Sequence, residues 1–363
     1  PRTIMRTDAN RHSPPGALRP ASGRRRYPSA VFGGLAEMLR RGGWVTITVV
    51  VARALAAVVA LIAIVALAGS AWRIHSPMRP MRPMRSGIGL GAAVSAIVVE
   101  ADSGEILYGQ SAERRIPPAS LAKLMTVLLA AEAVESGHAS MMDLVTVSRH
   151  AASMGGSRVW LGAGERYTLG QLLESVMIAS ANDSAVAVAE HLAGSERQFV
   201  ALMMKRAGEL GMRNTRFVNA TGLPAEQGEG HGYTTAFDMA CLALEALGHP
   251  AILEWSRTRS KVFRNHPLFI MNNTNPLLGR YPGCDGLKTG HTDAAGYHLI
   301  ATARADGVRL VCVIMHALTD EARAAGCAGL LDYGFAAWHA GNTAERSAEA
   351  QAGLGARDSM RVH

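Results

Sequence analysis

The sequence has few charged and few aromatic side chains, and its cysteines do not form a metal-binding pattern. Charged residues make up 18% of the 363 residues and aromatic residues 5%. The chain has four cysteines, Cys241, Cys284, Cys312 and Cys327, and no two of them have C-x-x-C spacing. We therefore expect no zinc site and mostly buried thiols, although an exported protein could form one or two disulfides.

Basic charge is absent from most of the chain. The net charge of +8 arises in the first 86 residues, which contain 14 arginines, no lysine, and only Asp8 and Glu37 as acids. The remaining residues carry a net charge of −4. Because a nucleic-acid-binding domain needs a basic face, this distribution argues against a nucleic-acid partner.

The first 91 residues have the composition of a leader. Residues 1–43 are rich in Arg, Pro, Gly and Ser, and we expect them to be disordered. Our hypothesis is that residues 1–37 are an upstream extension of the reading frame, with Met38 as the start. Residues 44–72 are almost entirely apolar, and residues 54–72 carry no charge, a length that suffices to cross a bilayer.

The apolar segment 44–72 has two main interpretations. It is either a signal peptide, with small-residue cleavage candidates at residues 66–71, or an uncut anchor, and a buried soluble helix is the weaker alternative. The preceding arginines place the N-terminus in the cytoplasm, so either main interpretation delivers the rest to the periplasm or the outer face of the membrane. Residues 73–91, with repeated Pro-Met-Arg, suit an extended linker. We expect a globular domain over 92–339, the part of the chain that carries the candidate catalytic residues given below, and a disordered tail over 340–363.

Hydrophobic patterning predicts an α+β fold for residues 92–339. Two β-rich runs flank Asp102-Ser103-Gly104 and two more flank Ala305-Asp306-Gly307, which indicates two antiparallel hairpins. Helical patterns cover residues 121–134, 168–179, 183–192, 196–210, 237–247 and 321–338, and short strands are predicted at 144–147 and 269–271. This order of elements implies an antiparallel sheet with helices packed against it.

The most informative stretch is residues 117–126, where Ser120 and Lys123 interrupt an otherwise apolar helix. Side chains three residues apart lie on one face of a helix. A serine in the first turn lies near free N–H groups that favour negative charge, and an amine in apolar surroundings loses proton affinity. The pair is therefore a candidate nucleophile with its own base, although a helix cap beside a solvated lysine has the same spacing.

Two further motifs strengthen this interpretation. Ser180-Ala181-Asn182 lies at the break between two predicted helices, where we expect an exposed polar corner, and Lys288-Thr289-Gly290 precedes a hairpin, where we expect a sheet edge. Taken singly, a helix cap and an edge-strand lysine would explain them. In this order, however, S-x-x-K, S-x-N and K-T-G are the motif set of penicillin-binding proteins and class A β-lactamases.

With these motifs, residues 94–335 resemble the low-molecular-mass penicillin-binding proteins, which are serine-type D-alanyl-D-alanine carboxypeptidases. The resemblance also rests on Leu-Gly-Met-Arg-Asn-Thr-Arg-Phe at 210–217, Thr-Gly-Leu-Pro at 221–224 and Gly-Leu-Lys-Thr-Gly-His-Thr at 286–292. It implies an α+β fold with an antiparallel sheet, flanking helices and an inserted all-helical lobe. It further implies removal of the terminal D-alanine from peptidoglycan stem pentapeptides, covalent inhibition by β-lactams, and no metal or organic cofactor.

The resemblance also implies roles for the motif residues on the nucleophile side. Ser120 would attack the carbonyl of the penultimate D-alanine, and Lys123 would take its proton. Ser180 would relay a proton to the leaving D-alanine, and Asn182 would hold either the substrate backbone or Lys123.

On the opposite side, the resemblance implies that Lys288 and Thr289 face the terminal carboxylate of the substrate. The oxyanion hole would use the backbone N–H groups of Ser120 and of His291, which follows Gly290. The positive charge of Lys288 would also help to keep the amine of the catalytic lysine unprotonated.

Other functions remain open at this point. A D,D-endopeptidase would share the whole site, and a non-catalytic β-lactam sensor would keep Ser120 without turnover. A β-lactamase needs a carboxylate that deacylates the enzyme. The candidates Glu226 and Glu229 are not followed by an asparagine at the right place, and Glu209 falls within a predicted helix.

Many relatives carry a β-rich domain and an amphipathic anchor after the catalytic domain. Here about 25 residues follow Trp338, and they have no apolar face. We therefore expect no second domain, and we expect contact with the cytoplasmic membrane through the apolar segment 44–72.

Overall fold

The computed structural model describes Leu90 and residues 94–224 and 230–359. The chain divides into two units, residues 1–73 and 74–363, and all described residues belong to the second unit. The predicted leader at 1–43, the predicted signal peptide or anchor at 44–72 and, apart from Leu90, the predicted linker at 73–91 lie outside the described residues.

The described strands form one large sheet and two small ones. The strands are β1 Ser95–Glu100, β2 Ile106–Gln110, β3 Leu144–Thr146, β4 Arg166–Thr168, β5 Ser260–Asn265, β6 Leu268–Asn272, β7 Cys284–Thr292, β8 Gly296–Ala305 and β9 Val308–Ala317. The large sheet is antiparallel with strand order β2-β1-β9-β8-β7, and β3-β4 and β5-β6 are two-stranded. The K-T-G motif therefore lies on an edge strand, β7, as the sequence indicated.

The helices pack around this large sheet. They are α1 Lys123–Glu135, α2 Arg149–Ser153, α3 Leu169–Ile178, α4 Asn182–Ala193, α5 Glu196–Glu209, α6 Ala236–Ala246, α7 Pro250–Arg257 and α8 Asp320–Ser359. Within the described part of the chain, no single helix is long and apolar enough to cross a membrane. Helices α6 and α7 reach the required length and composition only as a pair bent by 108°.

The α+β prediction is confirmed, and both predicted hairpins, β1-β2 and β8-β9, are present. Helix α3 begins where expected because the Thr168 hydroxyl accepts a hydrogen bond from Gln171 N and the Gln171 side chain bonds back to Thr168 N. The region between β2 and β7 is less purely helical than expected, since it also contains the β3-β4 and β5-β6 ribbons.

The sheet has two differently packed faces, which follow from the alternation of side chains along a strand. The front face packs against α6, α7 and the turn at 119–122, and it presents Ile97, Val99, Ile300, Val311, Val313 and Met315. The back face packs against α8, and it presents Ala96, Val98, Leu299, Ala301, Leu310 and Cys312. Helix α1 is buried among helices α3 to α7, so its residues are apolar on nearly every side.

Two predicted boundaries were wrong. The chain around Ser120 forms a 3₁₀ turn, Ala119–Ala122, and the α-helix begins only at Lys123. The closing helix, predicted to end at Trp338, continues to Ser359 as α8, and the disordered tail over 340–363 stays a prediction. Residues 360–363 lie outside the described residues.

The sequence predicts mostly buried thiols, and the structure agrees with this prediction only in part. All four are free in the structure. Cys312 and Cys327 are fully buried in the back-face core, whereas Cys241 and Cys284 are partly exposed. Burial raises the pKa of Cys284 to about 11, so this thiol is protonated at neutral pH and is a poor nucleophile.

Candidate active site

Ser120 and Lys123 meet at the start of α1. The Nζ atom of Lys123 is hydrogen-bonded to Ser120 Oγ at 2.8 Å, and it also donates to the backbone carbonyl of Thr221 at 2.9 Å. Lys123 is fully buried. Ala119, which precedes the serine, has a φ of +46°, so the backbone at the 3₁₀ turn is strained, a feature that clusters at functional sites.

The loop behind α1 fixes the lysine, and the sequence did not predict this role. The carboxamide oxygen of Asn219 accepts hydrogen bonds from Thr221 N and Gly222 N, so the loop is held in shape. Gly222 has a φ of +78°, and a Cβ at this position would lie 1.7 Å from Ala119 O. Only glycine fits there, which explains the Thr-Gly-Leu-Pro stretch; the contribution of Thr221 is a backbone carbonyl and has no sequence signature of its own.

Ser180 and Lys288 form a second pair across the cleft. Lys288 Nζ donates to Ser180 Oγ at 2.8 Å and to Thr289 O at 2.9 Å. Ser180 has a φ of +58° at the break between α3 and α4. Contrary to the predicted exposed corner, Ser180 and Asn182 are buried, because the segment at 155–161 covers the N-terminus of α4.

Burial weakens the proton affinity of both lysines. It is the main cause that lowers the pKa of Lys123 well below its usual range; the charge of Lys288 lowers it further, and Asp183 opposes the shift. Burial also lowers the pKa of Lys288 to about 7, with a smaller contribution from the guanidinium of Arg323. The Lys123 amine is therefore suited to accept a proton near neutral pH, and Lys288 changes its charge in the same range.

Asn182 contacts neither lysine in the described hydrogen bonds. Its Nδ2 donates to Gly155 O at 2.6 Å, and its Oδ1 is buried without a hydrogen-bond partner among the described residues. A buried unpaired acceptor costs about 1–3 kcal/mol, and such groups need an explanation. The predicted contact of Asn182 with the substrate backbone stays a prediction.

The K-T-G motif forms the opposite wall of the cleft. The Thr289 and Thr274 hydroxyls are hydrogen-bonded to each other at 2.5 Å. A Cβ on Gly290 would lie 3.2 Å from the backbone N of Ser120, so β7 passes close to the 3₁₀ turn because this residue is glycine. The side chain of His291, the next residue, is exposed and stacks on Tyr297 with ring centroids 4.0 Å apart.

The sequence analysis missed two buried groups that support this wall. His298 Nε2 is 2.9 Å from Pro117 O, and His298 Nδ1 accepts from His316 N at 3.0 Å, so the ring is neutral with its proton on Nε2. Burial lowers the pKa of His298 to about 4. Arg323 Nη1 donates to His298 O at 2.9 Å, which ties the start of α8 to the sheet. No local motif marks either residue, since both act through distant backbone carbonyls.

Potential metal ligands lie away from this cleft. Among the described residues, Glu132, Glu245 and His249 form the one group whose ligand atoms lie close enough to share an ion. The guanidinium of Arg206 already pairs with both carboxylates. Glu132 is nine residues along α1 from Lys123, about 13 Å at 1.5 Å per residue.

The arrangement has the parts needed for acyl transfer at a carbonyl. A hydroxyl with an adjacent uncharged amine can attack, and a second hydroxyl bonded to a second amine can pass on a proton. The mutual distances of 2.8 Å in both pairs satisfy the geometric requirement for proton transfer. All the predicted site residues except the His291 side chain are brought together here.

Comparison with known proteins agrees with this chemistry. A family model described as D-alanyl-D-alanine carboxypeptidase matches residues 88–319. D-alanyl-D-alanine carboxypeptidase DacF of Bacillus subtilis is 43% identical over 245 residues, covering 67% of this chain and 62% of the relative. DacA of Escherichia coli K12 is 35% identical over 249 residues, covering 67% of this chain and 60% of the relative. This chain thus spans about three fifths of the length of both relatives.

A solved structure supports the same relationship. Penicillin-binding protein D2 of Listeria monocytogenes, in its ampicillin-bound form, superimposes with a TM-score of 0.62 and 31% identity. The match covers 70% of this chain and 100% of that one. The predicted resemblance and fold class are confirmed. On the family match, the two sequence relatives and this structure, the chain belongs to the D-alanyl-D-alanine carboxypeptidase family.

Proposed function

We propose that this chain removes the terminal D-alanine from peptidoglycan stem pentapeptides through an acyl-enzyme on Ser120. The observation that carries the proposal is the pair of buried serine–lysine contacts, Ser120–Lys123 and Ser180–Lys288, each 2.8 Å long. Each of these buried amines has a lowered proton affinity and is hydrogen-bonded to a hydroxyl. Because burying an amine costs stability, a purely structural role does not explain two such pairs. The family membership and the names of its relatives support the same activity.

In the acylation step, Ser120 Oγ bonds to the carbonyl carbon of the penultimate D-alanine while Lys123 Nζ accepts the hydroxyl proton. The backbone N–H groups of Ser120 and His291 stabilise the oxyanion. The carbon–nitrogen bond then breaks, and the proton taken up by Lys123 passes through Ser180 to the leaving amine of D-alanine, which returns Lys123 to its uncharged form. Asn182 Oδ1, which has no hydrogen-bond partner among the described residues, accepts a backbone N–H of the substrate.

The terminal carboxylate of the substrate binds the opposite wall. Lys288 in its charged form, with the Thr289 hydroxyl, supplies the donors for it. The carboxylate in turn raises the proton affinity of Lys288, so substrate binding itself favours the charged form. After D-alanine leaves, water attacks the acyl-enzyme, Lys123 Nζ accepts a proton from the water, and Ser120 is regenerated.

β-Lactams resemble the D-alanyl-D-alanine terminus, and we propose that they acylate Ser120. The ampicillin-bound Listeria relative supports this. A β-lactamase activity is less well supported, since Glu209 ends α5 and neither Glu226 nor Glu229 is followed by an asparagine at the right place. Labelled penicillin separates the two, because we expect a long-lived adduct and a β-lactamase would release it within seconds.

D-Alanine release from diacetyl-Lys-D-Ala-D-Ala by the full chain tests the proposal directly. We expect release by the wild type and none by Ser120→Ala. A wild-type protein that binds penicillin but releases no D-alanine would overturn the proposal in favour of a sensor. Cleavage of cross-linked dimers faster than of the pentapeptide would favour an endopeptidase.

We further propose that the apolar segment 44–72 directs this site outside the cytoplasmic membrane and attaches it there. The support is the uncharged length of residues 54–72 and the arginines before it. Protease added to intact spheroplasts should digest the catalytic domain. Protection of that domain until the membrane is lysed would contradict the proposal.

A further inference from the structure

Trp160 is a large apolar side chain in an unusual setting. Its side chain is 57% exposed, and its backbone φ is +61°. The left-handed region is unfavourable for a bulky residue, which normally avoids it. Such strain persists only where the surrounding structure enforces it.

Both neighbours of Trp160 are tied down. The buried carboxylate of Asp183 accepts hydrogen bonds from Val159 N and Leu161 N, each at 3.1 Å through one oxygen. Arg264 Nη1 donates to Val159 O at 2.6 Å. The backbone is thus held on both sides of the tryptophan, and the strained conformation is built in.

The ring is held as firmly as the backbone. The guanidinium carbon of Arg158 lies 3.6 Å from the centroid of the Trp160 ring, the distance of a cation–π stack. A stacked cation covers one face of the indole and restricts its rotamers. The exposed part of the side chain is therefore a rigid, flat, apolar surface.

This surface lies at the rim of the proposed active site. Asp183, which anchors the two flanking residues, directly follows Asn182 in α4. Asn182 in turn contacts the same segment, since its backbone N donates to Ser157 O at 2.7 Å and its side chain to Gly155 O. The segment at 155–161 is thus one wall of the cleft, with Trp160 at its exposed end.

We propose that Trp160 is a binding platform for a sugar ring of the glycan strand that carries the stem peptide. The proposal rests on the proposed function. In a pentapeptide, four residues separate the sugar from the bond that is cleaved, and an extended chain of four residues spans about 13–14 Å. A sugar attached to a peptide bound in the cleft therefore reaches the rim and not the floor.

The chemistry of the platform favours a neutral sugar. The axial C–H face of an N-acetylhexosamine is flat and apolar enough to stack on an indole, while its hydroxyl groups stay in water. The Arg158 guanidinium already occupies one face of the ring. A cationic ligand on the other face would meet a like charge, whereas an uncharged ring does not.

Two substrates test the proposal with the full chain. We expect Trp160→Ala to lower kcat/KM about tenfold, through KM, for a disaccharide pentapeptide of N-acetylglucosamine and N-acetylmuramic acid. On diacetyl-Lys-D-Ala-D-Ala, the same variant should stay within about twofold of wild type. Trp160→Phe, which keeps an aromatic face, is the matched control and should retain most of the activity on both.

The outcomes separate this proposal from the proposed function. Equal losses on both substrates, or no loss on either, would overturn the sugar platform. Absence of D-alanine release by wild type would instead overturn the proposed function. Binding of the peptide-free disaccharide to Ser120→Ala, followed by tryptophan fluorescence, then tests the platform alone: the signal should disappear when Trp160→Phe is added, and a signal that persists contradicts it.

Discussion

The two sides of the five-stranded sheet contain very different interiors. In front of the sheet, Lys123, Lys288 and His298 are buried, and Ala119 and Ser180 have positive φ values. Behind it, beyond the first turn of α8, the core is formed mainly by apolar side chains and two thiols, among them Val98, Leu107, Leu310, Cys312, Ile314, Cys327, Leu330 and Leu331. The named residues on both sides of the sheet are shielded from water, so their exposed fraction does not distinguish the two sides.

The difference lies in what burial does to each side. Behind the sheet, removing apolar groups from water stabilises the fold by about 25 cal/mol per Å². In front of it, burial lowers the proton affinity of two lysines and leaves Asn182 Oδ1 without a partner in the described part of the chain, and each of these effects opposes folding. The buried polar groups in front of the sheet therefore serve chemistry at a cost in stability. The apolar core behind the sheet offsets this cost.

The largest predicted effect is on the front. Lys123→Met should lower kcat/KM for D-alanine release by about 10³–10⁴, because the proton acceptor is lost. The free energy of unfolding should change by less than about 2 kcal/mol, since removing a desolvated amine offsets the lost hydrogen bond to Thr221 O. Steady-state kinetics and urea unfolding measure the two quantities.

Ser120→Ala is the control for this variant. It should lose D-alanine release to a similar extent while leaving the Lys123 amine in place. A Lys123→Met protein that keeps more than about a tenth of the activity would remove the lysine from the role of base. One that unfolds would contradict the predicted small change in the free energy of unfolding.

The second prediction concerns Lys288, whose pKa is lowered to about 7. Below this pH the amine is charged and binds the carboxylate of the substrate, so kcat/KM should fall about tenfold per pH unit above pH 7. The free energy of unfolding should change with pH in the opposite direction to kcat/KM. Between about 7 and the ordinary lysine pKa of 10.5, the unfolded chain binds more protons, so the contribution of Lys288 to the free energy of unfolding rises with pH.

A substrate with an amidated C-terminus is the control for the predicted fall in kcat/KM above pH 7. It has no carboxylate for Lys288 to bind, so its kcat/KM should be lower but should not fall above pH 7. The same descending limb with both substrates would assign the titration to another group.

The contrast between the two sides also explains what the sequence could predict. Ser120 and Lys123 were paired correctly because residues three apart share a helix face, and the helix starting near residue 168 was predicted from its helical pattern. The β1-β2 hairpin followed from Asp102-Ser103-Gly104. Each of these inferences depends on neighbours along the chain.

Contacts between distant segments could not be predicted in this way. The carbonyl of Thr221 holds Lys123 from 98 residues away, and His298 reaches Pro117 across 181 residues. The burial of Ser180 depends on the covering segment at 155–161, which shows no periodic pattern. Helix α8 continues past Trp338 without an apolar stripe that would have predicted this extension.

The third prediction tests the attachment of the 3₁₀ turn to the sheet. The His298 ring donates through Nε2 to Pro117 O and accepts through Nδ1 from His316 N. His298→Gln can replace the first contact and His298→Asn only the second. We expect His298→Asn to slow acylation by penicillin about three- to tenfold, with Gln within about twofold of wild type, because one hydrogen bond contributes about 1 kcal/mol. If both variants and the wild type were acylated at equal rates, and only their melting temperatures differed, His298 would have a packing role alone.

The smallest effect on activity is predicted behind the sheet, where it sharpens the comparison most. Leu330 is fully buried between α8 and the back face, so Leu330→Ala should destabilise the fold by about 2–5 kcal/mol through lost burial and the cavity left behind. At 25 °C, in the absence of denaturant, penicillin acylation should stay within about twofold of wild type, because no group in the cleft moves. If Leu330→Ala instead slowed acylation as strongly as His298→Asn, the back face would also set the geometry of the cleft, and the division of labour between the two sides would not hold.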